Sequence, residues 1–465
     1  MKNKQVIAWL MSVLMGAGVL TGCGSASMAS TGAGGSYFSS DEEGKVINIW
    51  TWNEEFRNRV TDYYPEVKET SSDGTVTTLK DGTEIHWTIN PNQDGVYQDK
   101  LDEALKQQAS ADQDDKIDIF LAETDYLVKY IDKDIDVAIP LKELGIDPES
   151  DLSDQYKYTK DAACDADGVQ RATSWQGCPG VFIYRRDIAR EVFGTDDPDE
   201  VHALIADWDK YNEAAEKLKE AGYYMNSSTI DTQRVYTNNT KAPWVEKGST
   251  TVKVDENVVK WIKDTKENLD KGYIHTTDGQ WADTWNKDQG ADSKVFGFFG
   301  PAWFVDFTLT PNYGESAEPN WGICESPQAY NWGGSFIVGC SGTDNKEHIK
   351  DIMLSLTGNK DVLLDIAKGT GDFTNTQSGM KELSEDDSFE SEFLCGQNPY
   401  KIYAPAAENI VMDKLSPYDQ GCVEALGNSF GDYFNDKVDF EKAKENFETT
   451  IKERYPDITE VVWPE

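Results

Sequence analysis

The sequence predicts an α/β protein built as two domains. Short apolar runs that suit strands alternate with amphipathic runs that suit helices, the signature of layered α/β architecture. The chain has 465 residues. Even without an N-terminal leader, that is enough for two domains with cores of their own. No internal repeat is visible. Lys45 to Trp52 reads as a buried strand, and Glu54 to Tyr64 as a helix stopped at Pro65. Glu84 to Asn90 is a second strand with Ile85, Trp87 and Ile89 alternating. Val96 to Ala109 is helical, with Tyr97, Leu101, Ala104 and Leu105 on one face. Ile117 to Leu121 is a third strand, followed by a short helix over 125–132. Three strand–helix steps in succession imply a parallel sheet whose ligand edge lies at the strand C-termini. A second region begins near Trp175. Gly180 to Tyr184 is its strand. Asp199 to Gly222 reads as one long amphipathic helix, with Val201, Leu204, Ile205, Trp208, Ala215 and Leu218 facing the core and Gly222 as its stop. Further helices are expected near 255–271, 345–357, 359–368 and 439–454.

The N-terminus reads as an export signal over residues 1–22. Lys2 and Lys4 precede an apolar run from Val6 to Leu20, which falls short of the roughly 20 apolar residues a membrane span requires and fits a signal h-region. The run ends in Leu20-Thr21-Gly22-Cys23. This resembles the bacterial lipobox, which implies a lipidated Cys23 as the first mature residue and a protein held on the outer face of the cell membrane. A plain signal peptide or an anchor helix is the alternative. Residues 24–40 are mostly Gly, Ala and Ser, so 23–45 is expected to act as a flexible tether.

Formal charge is −40. This excludes nucleic-acid binding, which needs a basic face to neutralise phosphate, and disfavours docking on anionic lipid. Acidic charge also serves simply to keep an exported protein soluble. Cys23 aside, the cysteines are Cys164, Cys178, Cys324, Cys340, Cys395 and Cys422. Neighbours could pair as 164–178, 324–340 and 395–422, or all six could be buried thiols; none has the spacing of a zinc or redox motif. His86, His202, His275 and His348 are scattered and form no metal cluster. Asp165-Ala-Asp167-Gly168 is similar to the start of a calcium loop, but Ser174 stands where the bidentate Glu should be. Gly427-Asn-Ser-Phe-Gly431 matches a serine-hydrolase pattern, yet its Ser lies in a helical context and no His follows residue 348.

The order of several segments resembles the extracellular solute-binding proteins of carbohydrate ABC importers, the family that includes maltose-binding protein. Val46-Ile-Asn-Ile-Trp-Thr-Trp-Asn53 is similar to the opening strand that ends at the sugar. Asp118-Ile-Phe-Leu-Ala-Glu-Thr-Asp125 is similar to the strand and loop that offer acidic residues to sugar hydroxyls. Gly180 to Ile188 resembles the strand after the first hinge crossing, and Phe296-Gly-Phe-Phe-Gly-Pro-Ala-Trp303 the segment that stacks on a sugar ring. Trp332-Gly-Gly-Ser-Phe-Ile-Val338 resembles the returning hinge strand, and Gly369 to Asn375, with Asp372, the loop that reaches the cleft. Arg185-Arg186 in place of Asn-Lys, and an extra Ala302, mark a divergent subgroup with its own ligand.

The resemblance implies a two-lobed, periplasmic-binding-protein-like fold. Lobe one would comprise 46–172 and 339–384, and lobe two 178–331 and 398–465, with hinge crossings near 172–178, 332–338 and 385–398. It also implies a monomeric binding protein with no catalytic residues and no cofactor, whose partners are a carbohydrate and the membrane permease that receives it.

The residues themselves suit a sugar. Hydroxyls around a pyranose rim favour planar polar groups that make paired, charge-assisted hydrogen bonds, and its C–H faces favour aromatic rings. The candidates are Trp52, Asn53 and Glu54; Glu123 and Asp125; Trp175 and Gln176; Tyr184; Trp281, Trp303 and Trp332; and Asp372. Each has a structural reading beside the functional one. Trp52 and Tyr184 could be core, Glu123 a favourable charge at a helix start, and Asp125 that helix's N-cap. The aromatic count leans towards an oligosaccharide. A glycoside hydrolase would need the same platforms plus two carboxylates ~5–9.5 Å apart, and a solute-binding protein for a non-sugar ligand is the other alternative.

Overall fold

A computed structural model describes residues 36–314 and 318–464; the expected leader, Cys23 and the first part of the tether lie outside them. Along the chain, β1 is Val46–Thr51, β2 Val67–Thr70, β3 Val76–Leu79, β4 Glu84–Ile89, β5 Ile119–Glu123, β6 Thr173–Ser174 and β7 Pro179–Arg185. Then come β8 Thr251–Lys253, β9 Gly297–Gly300, β10 Trp321–Cys324, β11 Tyr330–Asn331, β12 Ser335–Gly339 and β13 Glu460–Val462. One seven-stranded sheet has the order β2-β3-β4-β1-β5-β12-β6. Its centre, β4-β1-β5, is parallel, as the strand–helix alternation requires. The edges are antiparallel: β12 runs against β5 and β6, and β2–β3 form a hairpin. That hairpin escapes sequence inspection because its strands are polar and only half-buried.

The second sheet is antiparallel and centred on β7, which pairs with β9, β10 and β11. β8 and β13 pair in parallel apart from it. The chain passes from the large sheet to the second between Ser174 and Pro179 and returns between Asn331 and Ser335. Helix Gln377–Glu385 then packs on helix Tyr400–Glu408, which packs on β7.

Two apolar cores follow from this layering. In β1, Ile47, Ile49 and Thr51 are buried while their alternates are not. They meet Phe56 and Val60 of helix Glu55–Tyr63, Leu121 of β5, Ile337 of β12, and Ile352 and Leu356 of helix Lys346–Thr357. Each such side chain, fully buried, contributes about 1.5–3 kcal/mol. β5 is buried on both faces, as a central parallel strand should be; its Phe120 and Ala122 belong to the larger core that continues through the second sheet.

Two expectations need correction. The helix expected over 199–222 is two helices, Pro198–Ile205 and Trp208–Ala221. Asp207 between them is fully extended, and its carboxylate accepts from the Lys210 amide, so it starts a new helix. The tether expected to be loose to residue 45 is packed from its later part onward. Phe38 bridges Thr343, Gly342 N donates to Tyr37 O at 2.7 Å, and Gly44 N donates to Asp344 O at 3.1 Å. All six described cysteines are free thiols, with Cys395 exposed and Cys178, Cys324, Cys340 and Cys422 buried.

Candidate functional site

A cavity of about 2440 Å³ opens where the C-terminal ends of β1 and β5 face the second sheet. That is more than twice the ~1,000 Å³ upper range of small-ligand pockets. Trp52, Glu123, Asp125 and Tyr126 line it from the large sheet, and Arg234, Asn238, Trp281 and Asn331 from the other side. Trp52 follows β1 directly, and its ring meets Tyr97 and Tyr126 edge-on at 5.5 and 6.3 Å. Glu123 ends β5 and caps helix Thr124–Ile131, accepting from the Asp125 amide at 2.9 Å. Asp125 takes both arms of the Arg234 guanidinium, each at 2.6 Å. Arg234 lies on helix Gln233–Asn238, which packs on β11, so this pair joins the two sides of the cavity. Burial, reinforced by the Asp125 charge, pushes the Glu123 carboxyl up to about 8.

From Trp281 on the cavity wall a cluster of indoles extends inward. Trp281 and Trp303 are nearly parallel at 6.4 Å, and Trp332 meets them edge-on at 6.1 and 5.3 Å. Trp303 Nε1 donates to the Trp332 carbonyl at 3.1 Å, and Arg234 lies over the Trp332 ring at 5.4 Å. Gly333 and Gly334, at φ +80° and +112°, carry the chain between these rings and β12. A side chain on Gly333 would come within 3.2 Å of Trp303 Nε1 and 3.5 Å of Glu123 Oε1, and the positive φ there is itself one that glycine adopts without strain.

The other candidates lie elsewhere. Trp175 is 1 % exposed and stacks on Phe56 at 5.3 Å inside the first core, because it directly follows β6 of the large sheet. Tyr184 is buried in β7, its hydroxyl donating to the Asp196 carbonyl. Asn53 accepts from the Glu55 amide at the start of a helix, and Glu54 is exposed beside Arg57. Gln176 is buried; it donates to Glu55 at 2.9 Å and accepts from the Ser335 amide at 3.0 Å. Asp372 pairs with Arg59 at 2.8 Å. Gln176, Glu55, Arg59 and Asp372 thus form a separate polar knot beside the chain crossings. There burial and the Asp372 charge push Glu55 up to about 7.

Arg234 and Asn331 are missed by sequence reading. Arg234 sits on a short helix without a motif, and only its two-handed contact with Asp125 marks it. Asn331 precedes the recognisable Trp332-Gly-Gly and could have been found from that neighbour.

The profile of a family described as bacterial extracellular solute-binding protein matches residues 80–389, well over half of the chain. This protein belongs to that family. The family is one of extracellular binding proteins, not enzymes. No curated protein matches this solute-binding protein in sequence. Solved structures match its fold. A structure described as an extracellular solute-binding protein of family 1 has a TM-score of 0.69 at 16% identity, covering 88% of this chain and 100% of that one. The ABC-transporter-associated binding protein of B. animalis subsp. lactis Bl-04, in complex with β-1,6-galactobiose, has a TM-score of 0.65 at 16% identity, covering 90% and 100%. The sugar-binding protein MalE of Xanthomonas citri has a TM-score of 0.64 at 14% identity, covering 88% and 97%. Among the described residues of this solute-binding protein, no helix is long and apolar enough to cross a membrane.

Proposed function

We propose that the protein captures an oligosaccharide in this cavity and delivers it to the permease of an ABC importer. In this reading it acts as a monomer without a cofactor, held on the outer face of the membrane by a lipid on Cys23. The observation that carries the reading is that Trp52, Glu123 and Asp125 line the cavity on one side and Trp281 on the other, the aromatic-plus-carboxylate chemistry that a pyranose demands. The cavity's size favours several sugar units over one. The sugar-bound state of the structural neighbour from B. animalis supports the same ligand class.

Hinge bending would act at 172–178, 332–338 and 385–398. Supporting this, left-handed backbone occurs at all three crossings, in Cys178 at φ +51°, in Gly333 and Gly334, and in Cys395 and Gly396 at +58° and +83°, where a few dihedrals can absorb a domain rotation. Asn53, Glu54, Trp175, Gln176, Tyr184 and Asp372 would support the wall or the crossings and not touch sugar.

The test is intrinsic tryptophan fluorescence and melting temperature of the mature chain with a panel that includes β-1,6-galactobiose, maltotetraose and monosaccharides. A ligand that binds only the native state raises its apparent stability. A saturable shift with one sugar class, the sugar recovered intact, is the expected result. Trp52→Ala and Trp281→Ala should weaken it, and Trp175→Phe should not. No shift with any sugar, but one with peptides or polyamines, would sink the sugar assignment.

A further inference from the structure

Trp281 holds a conformation that its own backbone resists. Its φ is +72°, in the left-handed region that large L side chains seldom occupy. Such a geometry persists only where the surroundings over-determine it. The surroundings are two carboxylates beneath the loop over 275–282, neither of which lines the cavity.

At one end of the loop, His275 Nδ1 lies 2.7 Å from Asp288 Oδ2, and Ser227 Oγ donates to the same oxygen at 2.7 Å. The Thr277 hydroxyl donates to the Ser227 carbonyl at 3.1 Å. At the other end, Trp285 Nε1 donates to Asp231 Oδ1 at 3.0 Å. Asp231 also accepts from the amides of Ser227 and Ser228 and from the Ser228 hydroxyl. Across the loop, the Thr284 hydroxyl closes on Asp278. Both loop ends are therefore tied to one short backbone segment, Ser227–Ser228. The Trp281 ring emerges against Trp285 at 5.4 Å and beside Trp303.

Two buried carboxylates are a poor way to gain stability, since desolvation offsets their hydrogen bonds. What a fully satisfied polar network does provide is a fixed direction. We propose that Asp288 with His275, and Asp231 with Trp285, are positioning residues that set Trp281 as the sugar-stacking platform of the cavity. The role given to Trp281 rests on the sugar reading above; the positioning itself does not.

The test uses the full mature chain and needs no ligand for its first arm. Near-UV circular dichroism reports the coupled indoles, and acrylamide quenching reports exposure of Trp281. Asp288→Asn, Asp231→Asn and the milder Thr277→Val should each alter the indole bands and raise quenching, with far-UV spectra unchanged. Repeated in a Trp281→Phe background, the same substitutions should leave quenching unaltered. In the second arm, affinity for maltotetraose should fall about tenfold in Asp288→Asn, the scale of one aromatic contact. Unchanged indole bands and quenching in all three variants would overturn the positioning, whatever the sugars do. Altered quenching, with no sugar of the panel bound even by the parent, would retire the sugar reading and leave the positioning in place.

Discussion

Replacing Arg234 with Met removes the ion pair that spans the cavity while keeping most of the side-chain stem. The guanidinium meets the Asp125 carboxylate at 2.6 Å through both arms, which puts the charge centres roughly 4 Å apart and their attraction at about 4 kcal/mol for an effective dielectric of 20. Arg234 and Asp125 are 24% and 32% exposed, so solvent screening reduces this to about 2 kcal/mol. Loss of the contact over Trp332 adds ~0.5 kcal/mol. The assay is a double-mutant cycle of Arg234→Met with Asp125→Asn, followed by urea denaturation at low and high KCl. The expected coupling is about 2 kcal/mol, weakening with salt. If the pair also holds the two sides closed, that energy corresponds to a ~30-fold shift away from the closed arrangement, visible as a larger radius of gyration in X-ray scattering. A coupling below ~0.5 kcal/mol, the usual additivity error, would refute the electrostatic clasp.

Stability should be greatest in mildly acidic solution. Burial raises Glu123 to about 8, Glu55 and Asp419 to about 7 and Asp118 to about 6. The folded chain thus holds these protons more tightly than the unfolded chain, and stability is lost as pH rises from the ordinary carboxylate range through about 8. Asp73 and Asp167 run the other way: hydrogen bonds from Ser71 and Lys133 respectively lower each to about 2, so their contribution is lost only in strong acid. A melting-temperature scan should peak near pH ~5; a flat or rising profile between pH ~5 and ~8 would contradict it. A thiol reagent should label Cys395 at once, Cys178, Cys324, Cys340 and Cys422 only on unfolding, and a reductant should leave the melting temperature unchanged. Mass spectrometry of the labelled peptides checks this, and a reductant-sensitive transition would contradict the free thiols.

The parallel centre of the large sheet was legible because β1 and β5 carry apolar runs and β4 alternates Ile85, Trp87 and Ile89 with polar residues. The β2–β3 hairpin was not, since polar edge strands leave no periodic trace. The split at Asp207 hid inside an unbroken amphipathic pattern: the apolar stripe runs through both helices, and only the cap chemistry of Asp207 marks the boundary. At the site, Trp52, Glu123, Asp125, Trp281, Trp303 and Trp332 come together from five separate stretches of chain. Trp175 and Tyr184 share their composition but not their setting, because an aromatic residue in or beside a strand can face the core as readily as the cleft, and both are buried. Arg234 could not be read at all, for its partner lies more than a hundred residues earlier in the chain.

The segment over 36–44 lies alongside the chain over 342–348. Ser39 N donates to Thr343 O at 2.9 Å, Glu43 accepts from the Glu347 amide at 2.9 Å, and Lys346 covers the Phe38 ring. A pull on the N-terminus therefore enters the molecule as shear along this seam, shared among several hydrogen bonds instead of opening them one by one. It is delivered to the large sheet alone. Under the hinge bending proposed above, a protein leashed at this end would keep that half steady while the other half moves.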